Sequence, residues 1–264
     1  MDLELRGKRA LVTGSTAGIG YAIAFALARE GAQVIINGRT EERVSSAIEK
    51  IKNDLPDANV SGIAADLSKA AGVIELIETH PEVEILVNNL GIFEPRSFEE
   101  ISDADWVRFF ETNVLSGVRL SRHYLPRMRQ RNWGRIVFIS SESAVNIPVE
   151  MIHYGMTKSA QISVARGLAE TTVGTNITIN SVLPGPTASE GVLTFVDQMA
   201  AQQNLSKEEM EQQFFETARP SSLLKRFIEP EEIGDFVAFV CSPLASATNG
   251  AALRVEGGVV RSML

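Results

Sequence analysis

The chain is poor in the residues that most often mark a redox or metal site. Cys241 is its only cysteine among 264 residues, which excludes an intrachain disulfide. Its setting in FVAFVCSP reads as a small core residue on a helix rather than a nucleophile. There are three histidines, and no cluster of His, Cys, Asp or Glu has metal-ligand spacing, so no catalytic metal is expected. No apolar run reaches the length of a membrane span, and the N-terminus MDLELRGKRA is charged from its second residue, unlike a signal peptide. A cationic excess is missing too. The chain has 25 Lys and Arg against 33 Asp and Glu, and the net charge of −8 argues against nucleic acid or a membrane as partner. A cytoplasmic protein is expected. The one basic stretch, RLSRHYLPRMRQRNWGR at 119–135, reads as a solvated helix end whose cations suit the helix dipole.

What is present is alternation. The runs RALVTG, QVIIN, VSGIAAD, EILVNN, RIVFIS and NITINSV are strand-like, and a helical pattern separates each from the next. Such βαβα order predicts an α/β fold, a doubly wound parallel sheet with helices on both faces. With no linker or repeat in view, residues 1–264 are expected to form a single domain. The alternation is interrupted at about 190–226, where two helical patterns holding Phe195, Phe214 and Phe215 precede a Pro-started helix. Ser206 and Glu209 make a capping-box pattern for the second. This excursion is a candidate substrate lid.

Three stretches suggest chemistry. In LVTGSTAGIGYAIAFAL, Gly14, Gly18 and Gly20 stand between a strand and a helix, where glycine permits close approach of an anion to the helix N-terminus. In HYGMTKS, Tyr154 and Lys158 are four apart and share one helical face. A lysine beside a phenol favours the phenolate, although the same spacing also suits a tyrosine packing on a lysine stem. Asn113, a poor helix former, sits inside a long helical pattern.

Together these residues resemble the short-chain dehydrogenase/reductase family. TGSTAGIG is similar to its cofactor turn, NNLG at 88–91 to its N-N-A-G, and YGMTK to its Y-x-x-x-K. NSVLPGPTAS and RVEGG resemble later family segments, so the likeness runs along essentially the whole chain. Leu90 and Glu256 depart from the usual alanine and aspartate, which bears on local packing. The resemblance implies a catalytic set of Asn113, Ser141, Tyr154 and Lys158, with Tyr154 as general acid and base and Lys158 both charging the site and holding the nicotinamide ribose. It implies that Asn113 holds a water, and it selects Ser141 over Ser140 by the thirteen residues that separate Ser141 from Tyr154. It further implies cofactor contacts from Gly14, Ser15, Thr16, Gly18, Ile19 and Gly20 of the turn. Asp66 and Leu67 would flank the adenine, Asn89 and Gly91 the adenosine, and Thr187 and Ser189 the carboxamide.

Where an NAD enzyme carries a carboxylate at the end of its second strand, this chain has Gly38, followed by Arg39. NADP(H) is therefore expected, with Arg39 as the main phosphate contact. The expected activity is hydride transfer between NADP(H) and a small-molecule carbonyl or alcohol. The alternatives are an NAD(P)-binding sensor or scaffold, or a lyase or epimerase on the same fold. Apolar residues such as Trp106, Phe110, Ile162 and Val164 on two long helical patterns, 103–125 and 154–172, together with the resemblance, imply a homo-oligomer, with a tetramer favoured.

Overall fold

A computed structural model describes residues 1–203 and 205–263, apart from the side chains of Phe195 and Gln202. Each strand-like run forms a strand: β1 (Arg9–Val12), β2 (Gln33–Gly38), β3 (Val60–Ala64), β4 (Ile85–Asn88), β5 (Gly134–Ile139) and β6 (Ile177–Pro184). A seventh, β7 (Ala252–Val255), is the half-exposed edge. All pairings are parallel and the order is β3-β2-β1-β4-β5-β6-β7. The order reverses between β1 and β4, which opens a crevice at the carboxyl ends of these strands.

Helices cover both faces. On one lie α1 (Gly18–Arg29), α2 (Glu41–Asp54) and α9 (Pro230–Cys241), which bury Ile23, Leu27, Val44, Ile51, Ile233 and Val237 against the sheet. On the other, α3 (Ala70–Thr79), α5 (Ser116–Arg131) and α6 (Ile152–Glu170) bury Leu76, Leu120, Tyr124, Met128 and Ala165. α1 ends as its sequence predicts, with Gly31 just beyond it at φ +82°. Cys241 is a buried core residue.

The pattern expected as one helix from 103 is interrupted. α4 (Asp103–Phe110) passes through a π-helical turn, Glu111–Leu115, before α5 begins. The excursion after β6 forms α7 (Glu190–Gln203) and α8 (Lys207–Thr217), with the Ser206/Glu209 capping box in place. These helices have a small core of their own, built from Val196, Ala200, Met210, Phe215 and Phe227. The arginine-rich stretch is used within the molecule. Arg129 and Arg131 end α5 and reach Thr171 and Glu82, while Arg135 is buried with its guanidinium on the carbonyls of Gly134 and Asn176. Among the described residues no helix is long and apolar enough to cross a membrane.

α1 and α9 approach closely because Gly234 has no side chain. A Cβ there would stand 2.6 Å from the Ala22 carbonyl oxygen, a backbone atom that cannot swing away. Gly234→Ala should destabilise the protein by about 1–3 kcal/mol despite alanine's better helix propensity. A urea midpoint equal to or above wild type would show that the two helices separate at little cost.

Candidate active site

The crevice is built where four strand ends meet. After β1 the chain turns through Gly14 and Gly18, at φ +60° and +55°, into α1. Asn89, after β4, clamps this turn: its Nδ2 donates to the carbonyls of Thr13 and Gly14 at 2.9 and 3.0 Å. Thr13 Oγ1 in return accepts the Asn89 and Leu90 N–H groups, both at 2.9 Å. On the other side Asn37 Oδ1 accepts the Gly14 N–H at 3.1 Å, and Asn37 Nδ2 donates to Ala65 O at 3.1 Å. The Gly20 position tolerates no side chain, since a Cβ would lie 2.4 Å from both Asn89 Nδ2 and Gly14 O. The turn is therefore rigid and leads to a helix start with no side-chain cap at Ala17 and no acid in its first turn. Such a start suits an anion, because its first N–H groups have no side-chain acceptor.

Beyond β5, Ser141 opens a short turn and Tyr154 and Lys158 stand on α6. All three line one cleft of about 400 Å³, together with Asn89, Gly91, Thr187 and Ser189. Lys158 is buried, with Nζ donating to Ile139 O at 2.9 Å and to Gln161 Oε1 at 3.3 Å. Burial pushes its ammonium down to about 7. Burial also pushes the Tyr154 phenol up, opposed by its hydrogen bond with Ser141. Lys158 Nζ lies 5.6 Å from the centre of the Tyr154 ring. The phenol is thus raised by desolvation, and the cation that lowers it is Arg219 rather than the expected Lys158.

The adjacent serines separate cleanly. Ser140 Oγ donates to the Lys158 carbonyl at 2.8 Å and fastens β5 to α6. Ser141 Oγ caps the Ser143 N–H at 3.1 Å and donates to Glu142 Oε2 at 2.6 Å. Asn113 lies in the π-helical turn, a distortion often found at functional sites. Its side chain makes a paired contact with Ile92, receiving the N–H at 2.8 Å and donating to the carbonyl at 3.0 Å. It also donates to Thr157 Oγ1 at 2.9 Å, and its own carbonyl accepts from Gln161 Nε2. Asn113 thereby joins the loop after β4 to α6.

Other expected contacts are placed differently. Ser15 is fully buried: its N–H goes to Asn37 O, and its hydroxyl donates to Val12 O and accepts the Asn37 N–H. Both polar groups of Ser15 are spent inside the fold, while Thr16, Ala17 and Gly18 line a neighbouring cavity. Leu67 is likewise buried in the core, leaving only its backbone for an adenine. Asp66 is exposed and accepts from Ser68 N and Oγ, a turn carboxylate in this geometry. Thr187 Oγ1 donates to Gly185 O. Ser189 stands over the glycine turn, 3.1 Å from where a Gly18 Cβ would be. Ile19 lines the cleft, and Arg39 is exposed at the end of β2.

Three charged residues escape sequence reasoning. Arg43, in the first turn of α2, lines the cavity beside Thr16 and Ala17 and lies 3.2 Å from Glu190. Glu142 and Arg219 form a buried ion pair in the wall of the cleft, Nε to Oε1 at 2.8 Å. The one local signal for Glu142 is an acid inside the otherwise uncharged run IVFISSESAVN. His153 is buried against Phe109 and needs no functional role.

Comparisons with known proteins agree with this geometry. The sequence pattern of the short chain dehydrogenase family matches residues 8–200. YvaG of Bacillus subtilis, an uncharacterized oxidoreductase, is 52% identical over the full length of both chains. The 3-oxoacyl-[acyl-carrier-protein] reductase FabG of Aquifex aeolicus is 34% identical, covering 98% of this chain and 100% of its own. The crystal structure of L-sorbose reductase from Gluconobacter frateurii, complexed with NADPH and L-sorbose, superimposes with a TM-score of 0.94 at 30% identity, covering 100% of each chain. The chain therefore belongs to the short-chain dehydrogenase/reductase family of oxidoreductases.

Proposed function

We propose that the protein is an NADP(H)-dependent oxidoreductase that moves a hydride between the cofactor and a carbonyl or alcohol, with Tyr154 as the proton donor and acceptor. One observation carries this reading: Tyr154, Ser141 and Lys158 line one cleft next to a glycine turn whose helix start favours an anion. The bound dinucleotide would supply the hydride. The protein's own groups handle the proton and the developing charge. As a carbonyl oxygen gains charge, Tyr154 gives it a proton and Ser141 steadies it by a hydrogen bond. Lys158, desolvated on the Ile139 carbonyl, holds a proton that it can exchange near neutral pH. Asn113 keeps the Ile92 backbone and α6 in register, and in this reading it also holds a water that replenishes Lys158.

The cofactor choice rests on charge. No carboxylate stands at the end of β2, and a side chain at Gly38 would strike Thr16, 2.5 Å from its Cγ2. Arg39 directly follows β2 and Arg43 lines the cavity beside Thr16, where it pairs with Glu190, so in this reading a 2′-phosphate would meet two cations, the second of them shared with an acid. The solved L-sorbose reductase holds NADPH, which supports the same preference.

The excursion at about 190–226 acts as a lid over the cleft, to which it contributes Val192, Met199 and Phe214. With Phe93 and Met151 opposite, the wall favours a substrate with a hydrophobic body. The chain works as one catalytic domain in the cytoplasm and assembles as a homotetramer. A groove between α5 and α6, lined by Val118, Leu125, Val164 and Leu168, supports that assembly, as does half-exposed Phe110.

Tyr154→Phe keeps the ring and removes the proton. With NADPH and a panel of L-sorbose, cyclohexanone and a 3-oxoacyl thioester, wild type should reduce at least one acceptor. The variant should lose at least a thousand-fold in kcat while still binding NADPH, and near-normal turnover would overturn the mechanism. Arg39→Ala and Arg43→Ala should each weaken NADPH binding about ten- to a hundred-fold, as expected of one charge-assisted contact, and leave NADH nearly unchanged. Equal wild-type affinity for the two cofactors, measured by fluorescence titration, would reject the assignment. Sedimentation at micromolar concentration should show a tetramer that Val164→Glu splits into smaller species. A monomeric wild type would refute the assembly.

A further inference from the structure

The Glu142–Arg219 pair sits where a charge is most consequential. Glu142 is 3% exposed and Arg219 8% exposed, and both line the cleft that holds Tyr154. Every carboxylate oxygen of Glu142 is engaged: Oε1 with Arg219 Nε at 2.8 Å, and Oε2 with Ser141 Oγ at 2.6 Å and Ser143 Oγ at 2.7 Å. Ser141 has one hydroxyl proton. In this arrangement it points to Glu142, and the same proton is wanted by the substrate oxygen. A buried carboxylate without a partner would hold that proton firmly, and its field would also oppose a negative charge on Tyr154. Arg219 answers both effects, because a cation on Oε1 withdraws charge from the whole carboxylate.

Arg219 comes from the lid. It lies just past α8, with its backbone N–H on Phe214 O at 3.0 Å and its guanidinium on Ala218 O at 2.8 Å. The charged groups facing Tyr154 are then Lys158 from its own helix, Glu142 from the turn after β5, Arg219 from the end of the lid, and Glu150, 3.7 Å from Arg219 Nη1 and half-exposed. We propose that Arg219 is a positioning residue for proton transfer: by neutralising Glu142 it releases the Ser141 hydroxyl toward the substrate and lets Tyr154 carry negative charge. Docking of the lid's last turn thereby completes the electrostatics of the site. The inference rests on Tyr154 being the proton carrier. In alcohol oxidation, its phenolate takes the alcohol proton as the hydride leaves for the dinucleotide.

The sign of the pH effect follows. Oxidation gains rate as Tyr154 loses its proton, so anything that makes the phenolate harder to form moves that limb of the profile to higher pH. The experiment measures NADP-dependent oxidation of cyclohexanol against pH for wild type, Arg219→Met, Glu142→Gln and the double variant. Arg219→Met should lose at least ten-fold in kcat at neutral pH and move the limb up by about one pH unit, the lower end of what one nearby charge does. Glu142→Gln should move it down, and the double variant should return it close to wild type. A purely structural role lowers the rate equally at every pH and leaves the limb in place, which would overturn the proposal. If Arg219→Met does not fold, an unmoved limb in Glu142→Gln overturns it equally. Retained activity in Tyr154→Phe would instead overturn the underlying mechanism, so the two failures are distinct.

Discussion

The fastening of α6 to the end of β5 sets the geometry of everything in the cleft. Two hydrogen bonds make it: Ser140 Oγ to the Lys158 carbonyl, and Lys158 Nζ to the Ile139 carbonyl. The first uses a side chain of the strand and the second a side chain of the helix, so neither element can slide without breaking both. Parallel strands leave their carboxyl ends unpaired at one edge, and here side chains hold those ends. Tyr154 projects from the helix turn that this contact fixes. The site's precision is borrowed from a buried polar joint, where unmade hydrogen bonds are costly.

A second layer of order comes from amides. Asn37, Asn89 and Asn113 each bridge two segments distant in sequence: Asn37 and Asn113 satisfy a backbone donor and a backbone acceptor, and Asn89 two backbone acceptors. An asparagine can do this because it offers both a carbonyl and an NH₂ group without charge. A carboxylate in the same places would be buried without a cation, at much greater cost. The only carboxylate so buried in the described cleft wall, Glu142, does have its cation in Arg219.

Much of this was legible in the chain. Strands announced themselves because each is a short apolar run closed by a turn residue, and the family resemblance, rather than spacing alone, singled out Ser141, Tyr154 and Lys158, which line one cleft. Asn113 stood out as a poor helix former inside a helical pattern, but the π-helical turn that holds it was not expected. What stayed hidden depends on partners far away. Glu142 reads as an acid near a strand end, and its burial makes sense only with Arg219, 77 residues later. Nothing local to Asn37 shows that its amide is consumed by the carbonyls of Ile63 and Ala65. Ser15 falls inside a motif of partly buried turn residues, and its inward rotation is decided by Val12 and Asn37. Local pattern identifies elements; pairings across the sheet decide which side chains are free to act.

The seam between α1 and α9 has a consequence for how the molecule is made. α1 follows β1, and the helix that covers it, with Gly234 against Ala22, is synthesised only after β6. While the ribosome extends the chain through five further strands, Ile23 and Leu27 lack part of their final cover, which Ile233 and Val237 supply. The nascent protein thus carries an uncovered apolar stripe throughout that interval, the condition under which growing chains associate with one another or with chaperones. Closure of that stripe is a late event, and it coincides with arrival of the edge strand that finishes the sheet.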